Sequence, residues 1–373
     1  MTKKLGFGCM RLPLLNPADQ TSFDKEQLKR MVDTFIDRGF TYFDTAWMYH
    51  NFQSENVLKE VLVSRHPRNS YTITSKLPIM MISSEEQQRN TFETQLQKVG
   101  VDYFDYYLVH SLNAGTYQNA VKLHSFEYLK QLKAEGKIRH MGISFHDSAE
   151  VLDRILTEQP EVELVQIQLN YVDWESNSIQ SRKCYEVICK HNKPVVVMEP
   201  IKGGTLAKVP SAVEAMFKQA DPDLSVASWA IRFAASLPQV MMVLSGMSTY
   251  EQLDDNTSYM KDFQPLTPKQ NALVLQAGEI INCTIAVPCT GCRYCVKGCP
   301  KKIAIPEYFS LYNQKKRIDR PGFTSEVAYY FNMAESHGKA SDCIACHNCE
   351  KICPQHIKIS EVMKDVAAIF EGG

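Results

Sequence analysis

The sequence lacks an excess of charge of either sign: 41 Lys and Arg stand against 42 Asp and Glu, for a net charge of −1. Without a positive field or a basic tail nothing is present to hold a phosphate backbone, so no nucleic-acid partner is expected. A long apolar run is also missing. The longest, residues 226–246, is interrupted by Arg232, Pro238 and Gln239, so no membrane span is expected. No signal peptide is expected either, because Arg11 breaks the apolar stretch after Lys3 and Lys4 and no small-residue cleavage site follows. No GxGxxG follows the first apolar run, which removes the fingerprint of a doubly wound dinucleotide fold. With 44% hydrophobic and 22% charged residues, the chain has ample material for a core, which excludes wholesale disorder.

What is present alternates. Short apolar runs at residues 5–8, 42–44, 71–75, 106–110, 141–144, 164–169, 195–198 and 241–244 are rich in Val, Ile, Tyr or Phe, as buried parallel strands are. Helix-like segments lie between them, at 24–38, 84–99, 117–135, 148–157, 179–191 and 224–236. Gly39, Gly100 and Gly136 stop three of these. The pattern predicts an α/β chain with a (β/α)8 TIM barrel over residues 1–262. The alternative is an open doubly wound sheet. Residues 263–285 read as a proline-containing linker and a bridging helix over 270–281, which carries an apolar face.

Cysteine is concentrated in the remainder, residues 286–373. Nine of the 12 cysteines fall between Cys283 and Cys353. A disulfide scaffold belongs to short secreted chains, so clustered thiols in this chain point to a metal site and a cytoplasmic location. Cys289, Cys292, Cys295 and Cys299 form C-x2-C-x2-C-x3-C followed by Pro300; Cys343, Cys346, Cys349 and Cys353 repeat it before Pro354. Three thiolates at this spacing each take one iron of a cubane, and the fourth ligates the other cluster. One cluster then uses Cys289, Cys292, Cys295 and Cys353, and the other Cys343, Cys346, Cys349 and Cys299. Structural zinc is the alternative, but zinc motifs use paired cysteines without a third thiolate in the loop. This tail resembles a dicluster [4Fe–4S] ferredoxin, a small and mainly helical domain, with an insert between residues 299 and 343 that reads as two helices. Cys9, Cys184, Cys189 and Cys283 lie outside the motifs and receive no role.

Four chemical groups fall at successive strand ends: Asp44 and Tyr49 after the second run, Lys76 after the third, His110 after the fourth. Barrel enzymes work at that rim. A phenol, with a pKa near ~10, is a poor acid at neutral pH unless its anion is stabilised. A nearby ammonium lowers that value, a carboxylate holds the ammonium, and an imidazole orients a substrate oxygen. His50, His140, His146, Glu199 and Trp47 are placed near the same rim.

The tetrad in this order resembles the aldo-keto reductase family, in the branch that carries a C-terminal dicluster ferredoxin domain. The resemblance implies an oxidoreductase exchanging hydride between NAD(P)(H) and a small carbonyl or alcohol. It implies Tyr49 as proton donor, tuned by Lys76 and Asp44 and oriented by His110. Gly142-Ile143-Ser144, Gln168-Leu169-Asn170-Tyr171, Glu199-Pro200-Ile201-Lys202 and Ser245-Gly246-Met247-Ser248 with Asn256 resemble the family's cofactor segments. They imply Ser144, Gln168, Met198, Ser245, Gly246, Ser248 and Asn256 as cofactor contacts. Phe145 and His146 stand where the family has Asn, Met198 where an aromatic is common, and Gln252 where a base binds the 2′-phosphate. Strong NADP preference is therefore not expected. A hydride carries two electrons and a cluster one, so a flavin or an external one-electron carrier is the alternative link between the two chemistries. An electron-transfer protein or a redox sensor is the alternative function.

Overall fold

A computed structural model describes residues 3–283, 286–289, 291, 293–317 (the backbone alone at Arg317), 324–353 and 355–372. Cys292 and Pro354 lie outside the described residues. The chain divides into two compact units, one of Met1–Tyr171 and Ser181–Ala277, the other of Val172–Gln180 and Gly278–Gly373. The segment Val172–Gln180 thus goes with the second unit, and the helix Pro268–Cys283 runs across the division.

The first unit is a closed barrel of eight parallel strands in chain order. The strands are β1 (Leu5–Gly8), β2 (Tyr42–Asp44), β3 (Thr72–Leu77), β4 (Phe104–Leu112), β5 (Ile138–Phe145), β6 (Leu164–Gln168), β7 (Val195–Met198) and β8 (Val240–Ser245). Its interior is filled by Tyr42, Leu108, Leu164, Val196, Met242 and Leu244. A packed interior leaves no room at Gly142, where a Cβ would come within 2.7 Å of both Leu108 Cδ2 and Leu164 O.

The helices start and stop on local chemistry. Asp24, Ser84, Ser148, Ser225 and Thr249 cap helix N-termini by accepting from a backbone N–H three residues on. Gly39, Gly100 and Gly136 have φ between 75° and 79°, the left-handed turn that ends a helix. The expected helix over 117–135 is two helices, Ala114–Lys122 and Ser125–Ala134. An Asn113–Thr116 capping box starts the first early, and His124 at φ 49° breaks the line. Among the described residues no helix is long and apolar enough to cross a membrane.

The second unit is helical. Ile305–Arg317, Ser325–Ala334 and Ile359–Phe370 enclose a core in which Tyr330 stacks on Phe370 with centroids 4.7 Å apart. The insert between the motifs supplies the first two of these helices. Val172–Gln180 is tied in by Asn282 Nδ2 donating to Val172 O at 3.0 Å, while Ser178 and Ser310 hydroxyls meet at 3.0 Å.

Candidate active site and cysteine pockets

The barrel order places β2, β3 and β4 side by side, with Asp44 paired to Thr74 and Lys76 to Leu108 in register. Their C-terminal ends therefore bring the tetrad together. Lys76 Nζ donates to Asp44 Oδ1 at 2.6 Å, Thr45 O at 2.8 Å and Tyr49 Oη at 3.3 Å. The rings of Tyr49 and His110 lie edge to face at 6.0 Å. Lys76, Asp44 and His110 are buried, and Tyr49 is part-exposed.

Tyr49 is aimed by an unusual turn. His50, Asn51 and Phe52 all have φ between 51° and 66°, a region that costs non-glycine residues about 1–3 kcal/mol and persists only when held. His50 holds it: its Nε2 accepts from the Leu12 N–H at 3.1 Å, and its Nδ1 faces Gln20 O at 3.0 Å. His50 is thus a clamp on the tyrosine turn.

Burial would depress the Lys76 ammonium, but Asp44 and Tyr49 overcome this and raise it, so the lysine stays charged. Burial pushes the Tyr49 phenol up against the pull of Lys76, and the net displacement is upward. The expected lowering by the ammonium is present as a contribution and outweighed. The phenol therefore keeps its proton, while Lys76 offsets part of the cost of its anion. Burial, Lys76 and His146 hold His110 well below the ordinary histidine value, and burial with Lys76 lowers His146 to about 4. Both rings are neutral at pH 7. Nδ1 of His110 is buried with no hydrogen-bond partner among the described residues.

Several groups at the site carry no sequence signal. Cys9, just past β1, is buried and its N–H donates to Asp44 O at 2.8 Å. Burial pushes its thiol up, so it is no thiolate nucleophile. Behind Lys76, the buried Glu55 carboxylate accepts from Ser75 Oγ at 2.8 Å and Gln95 Nε2 at 2.7 Å, and pairs with Lys98 at 3.1 Å. Tyr107 Oη closes the network on Gln95 Oε1 at 2.6 Å. Lys98 also lies 4.3 Å from the Trp47 ring. His140 is not at the rim. It sits in the N-terminal half of β5, stacked on Tyr106 at 5.0 Å and paired with Glu163.

The expected cofactor residues lie on the rim from β5 to β8. Ser144 is in β5, and Gln168 and Met198 end β6 and β7 in register. Ser245 ends β8 and accepts from Asn256 Nδ2 at 2.9 Å. Gly246 sits beneath Arg11, whose Cβ is 3.1 Å from where a Gly246 Cβ would stand. Arg11 also faces Glu199 at 3.6 Å, and its carbonyl accepts from Ser248 Oγ at 2.9 Å. A guanidinium, a hydroxyl and the N-terminus of the Tyr250–Met260 helix suit a diphosphate. Gln252 spends its Oε1 on the Ser248 N–H.

In the second unit the cysteines converge across motifs. One pocket is lined by Cys299 with Cys343, Cys346 and Cys349. The other is lined by Cys289, Cys295 and Cys353. Each motif's last cysteine joins the other motif's pocket, as the spacing rule for two cubanes requires. Ile305 and Ile359 line both pockets.

A (β/α)8 barrel with an Asp–Lys–Tyr–His cluster at its C-terminal rim, joined to a unit built round two cysteine pockets, is the class this chain defines. Residues 4–279 match the Aldo/keto reductase family, to which the chain belongs, and residues 288–358 match a 4Fe-4S dicluster domain. The uncharacterized oxidoreductase YqkF of Bacillus subtilis is 23% identical over 287 residues, 68% of this chain and 85% of that protein. L-galactose dehydrogenase of Arabidopsis thaliana is 23% identical over 258 residues, 63% of this chain and 78% of that protein. In fold, the chain is similar to aldo-keto reductase AKR11C1 from Bacillus halodurans, with a TM-score of 0.60 and 20% identity over 74% of this chain and 91% of that one. An aldo-keto reductase from Klebsiella pneumoniae in complex with NADPH gives a TM-score of 0.57 at 20% identity, over 75% and 91% of the two chains.

Proposed function

We propose that the barrel interconverts a small carbonyl compound and its alcohol with NAD(P)(H), and that the second unit holds two [4Fe–4S] clusters that pass single electrons. The observation that carries the first part is the Lys76 hub, which holds Asp44 and Tyr49 within hydrogen-bond reach of one buried ammonium. A bound nicotinamide would supply or accept the hydride. The residues of this chain do the rest. Tyr49 Oη donates its proton to the carbonyl oxygen as negative charge develops there, and takes it back in the oxidation direction. Lys76, kept charged by Asp44, stabilises the phenolate that remains. Neutral His110 orients the oxygen, and neutral His146 adds a second uncharged polar group to the same pocket. Ser144, Gln168 and Met198 would face the nicotinamide ring; Arg11, Gly246 and Ser248 would face the diphosphate.

The cysteine pockets support the second part, since each is lined by thiols from both motifs. A hydride moves as a pair and a cluster takes one electron, so the link between the two chemistries is an external one-electron carrier. Bracing of the fold is the competing role, and it requires no change of cluster oxidation state.

The test is isotopic. The anaerobically purified protein is incubated with a panel of aldehydes and 4-deuterated NADH or NADPH, and the alcohols are analysed by mass spectrometry. One deuterium per alcohol is expected. Reduction without deuterium transfer rejects direct hydride exchange.

A further inference from the structure

The surface over the pocket of Cys299, Cys343, Cys346 and Cys349 combines exposed apolar side chains with lysines that have no ion-pair partner among the described residues. Two short helices, Tyr294–Lys297 and Asn348–Lys351, pack against each other. Ile352 follows one and Gly298 the other, and a Cβ on Gly298 would lie 3.8 Å from Ile352 Cδ1. Ile352 is 46% exposed and Ile344 is 59% exposed. Ile344 and Lys301 both line the pocket of Cys299, Cys343, Cys346 and Cys349. Lys297, Lys301, Lys302 and Lys351 are exposed, and none has an ion-pair partner among the described residues. Residues 289–302 contain four basic side chains and no acid. The one carboxylate in residues 343–353, Glu350, is occupied by Ser360 and His347.

A cubane held by four cysteine thiolates is anionic, and lysines beside it partly offset that charge. Lys297, Lys302 and Lys351 line neither pocket, so that role does not account for them. In a chain of net charge −1 they gather positive charge on the segments that carry the two cysteine motifs. A single exposed isoleucine is ordinary, whereas two exposed isoleucines and four lysines without ion-pair partners, all on the segments of the two cysteine motifs, suit an interaction surface.

We propose that this face docks an acidic one-electron carrier protein, which exchanges an electron with the cluster held by Cys299, Cys343, Cys346 and Cys349. It rests on the reading that the cysteines hold redox-active clusters. In the forward step the reduced carrier loses one electron and the oxidised cluster gains it; no bond is made or broken. Such encounters bury little area, under about 1,200 Å², and complementary charge acts on their association rate. The isoleucines supply the dry centre and the lysines the steering rim.

Stopped-flow mixing of the anaerobically purified full chain with a reduced acidic [2Fe–2S] ferredoxin tests this, with a reduced viologen carrying one methyl and one sulfopropyl group, whose one-electron-reduced form is neutral, as a small reductant in parallel. Lys297→Glu combined with Lys351→Glu is expected to lower the ferredoxin rate constant at least about tenfold at low salt and to flatten its salt dependence. Ile352→Ser, at an exposed position that lines neither pocket, is expected to lower the rate at high salt as well. The rate with the neutral viologen, which follows any change in cluster potential, should fall far less than the ferredoxin rate in both variants. A ferredoxin rate indifferent to charge reversal and to salt overturns the docking face, as does an equal loss with viologen. If viologen itself reduces no cluster, the underlying reading falls together with the proposal.

Discussion

Gln95 donates from Nε2 to the backbone carbonyl of Lys76 at 3.1 Å, fixing from behind the strand end whose side chain holds Tyr49. The same amide nitrogen reaches Glu55 and Ser75, so one buried polar network sets the position of Lys76. Glu55→Gln removes the charge opposite Lys98 and is expected to cost about 1.5–3 kcal/mol of barrel stability, as loss of a hydrogen bond to a charged group does. Its kcat should fall while the affinity for NAD(P)H holds, because the cofactor-facing residues lie on the other strands. Denaturant unfolding and cofactor fluorescence titration measure the two effects. A variant with unaltered kcat assigns the network to stability alone.

Tyr49→Phe is expected to reduce carbonyl reduction by at least ~10² with cofactor affinity nearly intact, because the phenol acts on the substrate oxygen only as charge develops there. Steady-state rates and cofactor titration check this. Wild-type turnover in the variant assigns the proton to another donor.

The displaced ionisations set a pH profile. Reduction needs the protonated phenol, and Tyr49 is shifted upward, so kcat/KM falls only as pH rises past the ordinary tyrosine value near ~10. His110 is held well below its usual value and His146 titrates at about 4, so neither charges between pH 6 and 8. A flat profile over that interval is expected. An acid limb centred near ~6.5 that disappears in His110→Gln contradicts the neutral histidine.

Cofactor choice follows from Gln252. Its carbonyl oxygen is committed to the Ser248 N–H, and an amide offers a 2′-phosphate far less than a guanidinium does. NADH and NADPH affinities are expected to lie within about a hundredfold, or ~2.7 kcal/mol, by titration. A larger preference for NADPH overturns the expectation and directs attention to Lys202 or Arg11.

The barrel was legible because burial imposes a composition. Three short apolar runs, at residues 5–8, 42–44 and 195–198, coincide with β1, β2 and β7, since strands covered on both faces read as continuous apolar runs. Lys76, Asp44 and Tyr49 were legible through their chemistry and order. The Glu55–Gln95–Ser75 network was not, because its partners are 20 to 40 residues apart and carry no spacing pattern. The tyrosine turn was equally hidden. Three consecutive left-handed residues without a glycine among them give no local signal, and the clamp on them comes from His50 reaching Leu12 and Gln20. His140 was misplaced by counting. It lies five residues before the end of β5, because that strand begins at Ile138.

Iron and sulfide content should be about eight atoms each per chain, two cubanes each held by four cysteines. Cys299→Ser should disturb the cluster of Cys343, Cys346 and Cys349, although Cys299 belongs to the other motif by sequence. Iron analysis with Mössbauer spectroscopy distinguishes this crossed assignment from one that follows the motifs.

Ile305 and Ile359 each form part of the wall of both cysteine pockets, so a single layer of side chains divides them. Two paramagnetic centres across so thin a partition sense each other's spin. The fully reduced protein should therefore give a broadened, split electron paramagnetic resonance signal that is not the sum of two independent cubanes. Reducing the chain by one electron, or leaving one centre unfilled through Cys299→Ser, should restore a simple spectrum.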